Sequence, residues 1–199
     1  MNIFFKKSQL CLLLAVAFGL IVISGCKDNP ADPDDDNEQE LITSVTLTLT
    51  ELDAAGNPTS TVATVNFKDP DGSGGAAPTI GTLTLKQGKN YSGTIKLLDE
   101  TKTPAEDITV EVGSEKDAHQ FFYTAKEGAV GRVTVTILDK DSRNLPVGLQ
   151  YRVAVSAGAV VAGKLNVVLS HYEPASKKDG TTRSDESDID IDFPVSVVN

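Results

Sequence analysis

Three sets of side chains have the types and spacing to do chemistry. Asp69, Asp71 and Ser73 lie in the run Asp69-Pro70-Asp71-Gly72-Ser73-Gly74. They offer oxygens at alternate positions beside a glycine turn, an arrangement suited to a hard cation such as Ca2+. An EF-hand is excluded, because the twelfth position counted from Asp69 is Ile80, where that loop needs a bidentate glutamate. The competing reading is an ordinary Asp/Gly connector. Asp188, Asp190 and Asp192 alternate with Ile189, Ile191 and Phe193. On an extended backbone they form a row of carboxylates on one face, at roughly 6.6 Å intervals. Such a row can hold a cation, and it is equally a solvated strand face that discourages edge pairing. His119 and His171, the two histidines, each close an apolar stretch beside aromatic residues. Imidazoles bind transition metals and haem iron, but the distance between these two along the chain favours structural histidines over ligands.

No nucleophile elbow, zinc-protease helix, P-loop or dinucleotide fingerprint is present. Ser156, Ser170 and Ser176 have no evident base with an acid partner nearby in sequence. The expectation is a protein that is not an enzyme. Its charge also narrows the partners. Eighteen basic residues face 28 acidic ones, a formal net of −10. Phosphate neutralisation needs a basic footprint, so nucleic acid is an unsuitable ligand. Cations and other proteins suit this surface better.

The elements that must position these residues are strands. In Leu41–Leu52, Val45, Leu47 and Leu49 alternate with Thr46, Thr48 and Thr50, the pattern of a half-buried strand. Ala54–Pro58 is a turn, and Thr61–Phe67 returns as the second arm of a hairpin. Further strands are expected over 80–85, 91–98, 119–123, 132–138, 147–157, 161–172 and 189–197. Thr103-Pro104-Ala105-Glu106 has the form of a capping box with proline at the first helical position, so a short helical turn is expected over 104–108. Beyond it, Ile108 and Val112 suit one helical face, while Ile108, Val110 and Val112 also alternate as a strand would. About nine strands separated by turn signals point to an all-β fold, an immunoglobulin-like β-sandwich, with a lipocalin-like β-barrel as the alternative.

The N-terminal quarter reads differently. Lys6 and Lys7 precede a nearly apolar run from Leu10 to Ile23. At about fourteen residues it is short for a bilayer core of roughly 30 Å and fits the apolar stretch of a secretory signal. It ends Ile23-Ser24-Gly25-Cys26, which resembles a bacterial lipobox. That resemblance implies cleavage before Cys26 and lipidation of its sulfur with palmitate-class chains. Multiple acyl groups give stable attachment at about 0.8 kcal/mol per buried CH2. The other cysteine, Cys11, falls in the removed segment, so no intrachain disulfide is expected. Loss of Lys6 and Lys7 leaves 16 basic and 28 acidic side chains, a net of −12. The expected organisation is a signal peptide over 1–25, an acidic disordered tether over 26–40 and a single β-sandwich domain over 41–199. Between Lys27 and Glu40 there are seven acidic residues, two prolines and a single apolar side chain, which is too little apolar area to offset ordering. Lys27-Asp28 after the cysteine resembles the surface-export signal of Bacteroidota lipoproteins, although Asn29 follows where a second acid would fit better.

Several segments together resemble a family of small Bacteroidota lipoproteins of uncharacterised function. They are Phe67–Gly72, Tyr91–Leu98 with Asp99-Glu100, His119–Tyr123, Leu145–Leu149 and Ser187–Val197. The resemblance implies an outer-membrane location and association with TonB-dependent receptors in nutrient capture. Some such proteins are labelled periplasmic-binding-like, but this sequence lacks the alternating helices and strands of that fold. No ligand or catalytic residue carries over. Two functions are therefore expected: an accessory binding module, which needs a pocket or an exposed patch, or a structural or adhesive surface module with a filled core.

Replacing Cys26 with Ser in the full chain is expected to abolish palmitate labelling and to move the protein from the membrane fraction to the soluble fraction. Unchanged labelling would remove the anchor from this reading.

Overall fold

The computed structural model describes residues 40–72 and 74–199. The expected signal peptide, Cys26 and nearly all of the expected tether lie outside them, as does Ser73. No helix among the described residues is long and apolar enough to cross a membrane.

The described residues are mostly β, with 52% in strands and 6% in helix, and one of the two sheets curls. The strands are β1 (Ser44–Leu52), β2 (Pro58–Lys68), β3 (Thr79–Ile80), β4 (Leu83–Lys86), β5 (Asn90–Leu98), β6 (His119–Glu127), β7 (Val133–Ile137), β8 (Gln150–Val155), β9 (Val161–His171) and β10 (Glu186–Val198). One helix, α1 (Ile108–Ser114), lies between β5 and β6. A six-stranded sheet has the order β3-β2-β1-β5-β8-β7, and a four-stranded sheet the order β4-β10-β9-β6. All pairs are antiparallel except β4 with β10. The chain thus forms two hydrogen-bonded sheets around a shared core, as expected of a sandwich.

Period-two alternation explains the core. Val45, Leu47 and Leu49 of β1, Ile95 and Leu97 of β5, and Tyr151, Val153 and Val155 of β8 are buried. From the other sheet come Phe121 of β6, Leu165, Val167 and Leu169 of β9, and Ile189, Ile191, Phe193, Val195 and Val197 of β10. All belong to one contiguous cluster. Burying each aliphatic or aromatic side chain of this kind stabilises the fold by roughly 1.5–3 kcal/mol. Gly93 sits on the inner face of β5 because the Tyr151 ring occupies the space above it, and an added Cβ would lie 2.2 Å from Tyr151 Cε2. The buried phenols are satisfied: Tyr151 donates to the Thr94 carbonyl at 3.3 Å and Tyr123 to the Gly148 carbonyl at 2.6 Å.

Three local expectations are corrected. The helix is not at 104–108 but at Ile108–Ser114. Asp99 and Glu106 exchange backbone hydrogen bonds of 3.1 and 3.0 Å as an isolated antiparallel bridge, which holds Glu106 in extended pairing where the expected helical turn would run. Ile108 and Val112 do share a buried helical face, one turn apart. The strand expected over 80–85 divides, because the chain crosses between the sheets at Gly81 and Thr82, leaving β3 in one sheet and β4 in the other. The strand expected over 147–157 is only Gln150–Val155. The amides of Gly148, Leu149 and Gln150 donate to the Asp139 carboxylate at 3.0, 3.0 and 3.1 Å, and a carboxylate that collects successive amides ends the ladder.

The long connection between β9 and β10 is fastened by a buried ion pair. Lys178 Nζ lies 3.0 Å from Asp141 Oδ2, with both side chains fully buried, and also donates to the Lys116 carbonyl at 2.8 Å. Asp141 accepts the Leu145 and Arg143 amides at 2.8 and 2.9 Å. One lysine therefore joins this connection to the segment after α1 and to the β7–β8 loop. Truncating one partner of such a pair leaves a buried charge uncompensated. Lys178→Met is expected to lower unfolding stability by about 3 kcal/mol in urea titrations, and Lys178→Met/Asp141→Asn to recover part of that loss. Additive losses in the double variant would show that the pair does not act as a unit.

Candidate functional site

The residues that converge are His119, His171 and Asp188. His119 opens β6, His171 closes β9, and the antiparallel register sets them directly opposite each other. They follow the inward alternation of Phe121 and Leu169, so both imidazoles lie at the end of the core and are buried. Their rings stack with centroids 4.5 Å apart and planes 24° apart.

Asp188 arrives by a different device. The β9–β10 register shifts between Ser187 and Ile189: Ser187 pairs with Ser170 and Ile189 with Leu169, leaving Asp188 as the extra residue of a bulge. Bulges re-aim side chains. Here the carboxylate, only 1% exposed, comes within 3.7 Å of His119 Nε2. The expected row of three carboxylates is therefore broken. Asp190 is exposed and accepts a 2.6 Å hydrogen bond from Asn166 Nδ2, and Asp192 pairs with Lys126 at 2.8 Å. Strict alternation would have placed Asp188 outside with them, but the bulge turns it inward.

The polar bookkeeping at this point is unusual. His119 Nδ1 lies 3.2 Å from the Glu115 carbonyl oxygen, a contact only an N–H can make favourably, so in the neutral ring Nδ1 donates. Nε2 then carries the lone pair. It has no hydrogen-bond partner among the described residues, and the Asp188 oxygens have none of good geometry, although the amides of Glu40 and Asp188 lie near them. Burial first, then the neighbouring His171 and Lys178, lowers the His119 pKa to about 4. Burial raises Asp188 to about 6, with His171 and the nearby amides of Glu40 and Asp188 opposing and Glu186 assisting. On the other edge of the His119 ring are Glu115, whose Oε2 is 4.0 Å from Nδ1, and Glu40. Burial and the carboxylates of Glu111, Asp188 and Glu115 raise Glu40 to about 7. Among the described residues, two groups bring three ligand atoms within 4.8 Å of one another: His119, His171 and Asp188, and Glu40, Glu115 and His119.

The other candidate loop is used locally. Asp71 Oδ2 accepts the Ala76 amide at 2.7 Å, and the Gly72 amide donates to the Asp69 carbonyl at 3.2 Å. This is the connector geometry, and neither aspartate belongs to the two groups above. Sequence spacing missed the pairing of His119 with His171 because 52 positions separate them. The available signal was that each stands two residues from a core residue at a strand end, on the same face.

Two clefts border the sandwich. One of about 330 Å³ is lined by residues of the β9–β10 connection and its flanks, including Tyr172, Lys177, Asp179, Arg183, Asp185 and Glu186. The other, of about 270 Å³, lies against β2, β4 and β5 and is lined by threonines, Val62, Lys86 and Tyr91. Comparison with protein-family models, curated proteins and solved structures gives no match.

His119 and Asp188 have opposed pH dependences. His119, with its folded pKa below the unfolded value of about 6.5, stabilises fully above that value and loses roughly 3 kcal/mol as pH falls to about 4. Asp188, with its folded pKa raised, stabilises most below about 3.9 and loses roughly 3 kcal/mol as pH rises to about 6. With a chelator present, the two slopes nearly cancel between pH 4 and 6. Asp188→Asn is expected to expose the histidine slope, with urea midpoints falling as pH drops from 6.5 to 4. His119→Gln is expected to expose the opposite slope. Flat profiles in both variants would show that neither group is held neutral.

Proposed function

We propose that this chain is a lipoprotein anchored at the outer membrane whose sandwich is an accessory binding module, and that its recognition surface is the β9–β10 connection. The observation that carries this reading is the build of that connection. It runs through 172–185, long for a link between neighbouring antiparallel strands, and loops of this length are usually functional. Dedicated polar contacts hold its shape. Tyr172 donates to the Thr182 carbonyl at 2.6 Å, Gln120 Nε2 to the Gly180 carbonyl at 3.1 Å, and Asp179 accepts the Thr181 and Thr182 amides at 2.7 Å each. These amides pull the Asp179 carboxyl far below its usual range. The cleft it borders carries both signs of charge, from Lys177 and Arg183 and from Asp179, Asp185 and Glu186. Such lining suits a polar or zwitterionic ligand, or a charged loop of a transporter partner, rather than the apolar ligand of a lipocalin-like barrel. A TonB-dependent receptor is the partner class implied by the sequence resemblance.

A second reading, a structural or adhesive surface module, draws support from the filled core. The two readings separate by crosslinking the full lipidated chain in native membranes. Lys177→Glu/Asp185→Lys reverses charge at exposed positions, where stability effects are usually within about 0.5 kcal/mol. The binding reading expects this variant to lose the wild-type crosslinked species at unchanged membrane level. An unchanged crosslinking pattern would favour the structural module.

A further inference from the structure

We propose that His119, His171 and Asp188 form a binding site for a divalent transition cation of the Zn2+ class. This inference rests on the geometry of β6, β9 and β10 and not on the reading of the β9–β10 connection.

The first argument is electrostatic. His119 Nε2 and Asp188 Oδ2 are 3.7 Å apart and both buried; neither has a well-formed hydrogen bond among the described residues, and the amides of Glu40 and Asp188 offset the carboxylate's burial only in part. With Nδ1 committed to the Glu115 carbonyl, the facing atoms are a lone pair and a carboxylate oxygen. Burying acceptors against each other without a donor is costly. A cation between them removes that cost. The carbonyl on Nδ1 is also the support that metal-binding histidines commonly use, fixing the tautomer and leaving Nε2 as the ligand.

The second argument is geometric. The three ligand atoms lie within 4.8 Å of one another. A tetrahedral zinc ion with bonds of about 2.0–2.1 Å sets ligands about 3.4 Å apart. The His119–Asp188 separation is already near that value, and the His171 ring must turn out of its stack on His119 to aim a nitrogen at the same point. Backbone register supplies the rest of the construction. His119 and His171 are cross-strand partners, and the bulge brings in Asp188 from the next strand. Three adjacent strands therefore each contribute a single ligand, a firmer scaffold than a loop.

The donor set then selects the ion. Two imidazoles and one carboxylate suit Zn2+ and its neighbours in the transition series, whereas Ca2+ takes six to eight oxygens. This site lies at the end of the sandwich core. Glu115, half exposed, and Glu40 stand beside His119, Glu115 at its Nδ1 edge.

The test uses the full mature chain in detergent, stripped with chelator and titrated with Zn2+ alone against a chromophoric competitor. One equivalent is expected to bind and to raise Tm. Co2+ is expected to bind at the same site with visible bands of tetrahedral intensity, and Ca2+ is expected not to compete. His171→Gln and Asp188→Asn are each expected to weaken binding at least tenfold, while Asp190→Asn and Asp192→Asn leave it unchanged. Asp188→Asn is the decisive variant. It is expected to be more stable than the stripped wild type at neutral pH while losing the Zn2+ response, which a purely structural aspartate would not do. No Zn2+ binding by the folded wild type, or wild-type affinity in Asp188→Asn, would overturn the site and leave a shared proton or water between the two groups. Cobalt spectra of the wild type keep the test valid if a variant fails to fold, and absence of bands overturns the proposal as well. None of these readouts depends on the crosslinking result.

Discussion

The placement of β9 between β6 and β10 constrains the rest of the molecule. Its pairs with β10 run from Glu186↔His171 to Val197↔Val161, and those with β6 from His119↔His171 to Glu127↔Gly163. Each pair fixes which side chains reach the core, because a one-residue slip would move a whole face from core to solvent. Leu165, Val167 and Leu169 thus meet Phe121, Tyr123, Ile191 and Phe193 across the ladder, and the burial of this set holds the register. The same register ends the strands at the same level, where two histidines take the positions that apolar residues fill elsewhere along the core.

That end of the sandwich is where apolar packing gives way to polar construction. α1 covers part of it with Ile108 and Val112, and the Lys178–Asp141 pair fastens the β9–β10 connection beside it. Lys178 is costly to bury, and burial alone lowers its pKa, with Asp141 pulling in the opposite direction. The compensation comes from two separate segments, those of Lys116 and Asp141. The site residues are therefore held by strands on one side and by a clamped connection on the other.

The strand pattern was legible because alternation is written locally. Val45, Leu47 and Leu49, and Ile189 through Val197, declare their buried faces residue by residue, and these faces are buried as read. Ile108 and Val112 were legible as a helical pair, but the start of the helix was not, since it depends on Asp99 claiming the Glu106 amide. The break in the strand at Gly81 and the loss of 147–149 to Asp139 were likewise illegible. Each is decided by a partner outside the stretch itself, Asn66 for Gly81 and Asp139 for 148–150.

The sequence by itself determined the all-β class, the inward and outward faces of most strands, and the acidic balance of the chain. These follow from side-chain chemistry and from the two-residue period of extended backbone. Tertiary structure alone decided the site. His119 and His171 met because of antiparallel register, and Asp188 left the row of Asp190 and Asp192 because of one extra residue against β9. A bulge is a relation between two strands, not a property of either, so no reading of the Asp188–Asp192 stretch on its own could have turned that carboxylate toward the histidines.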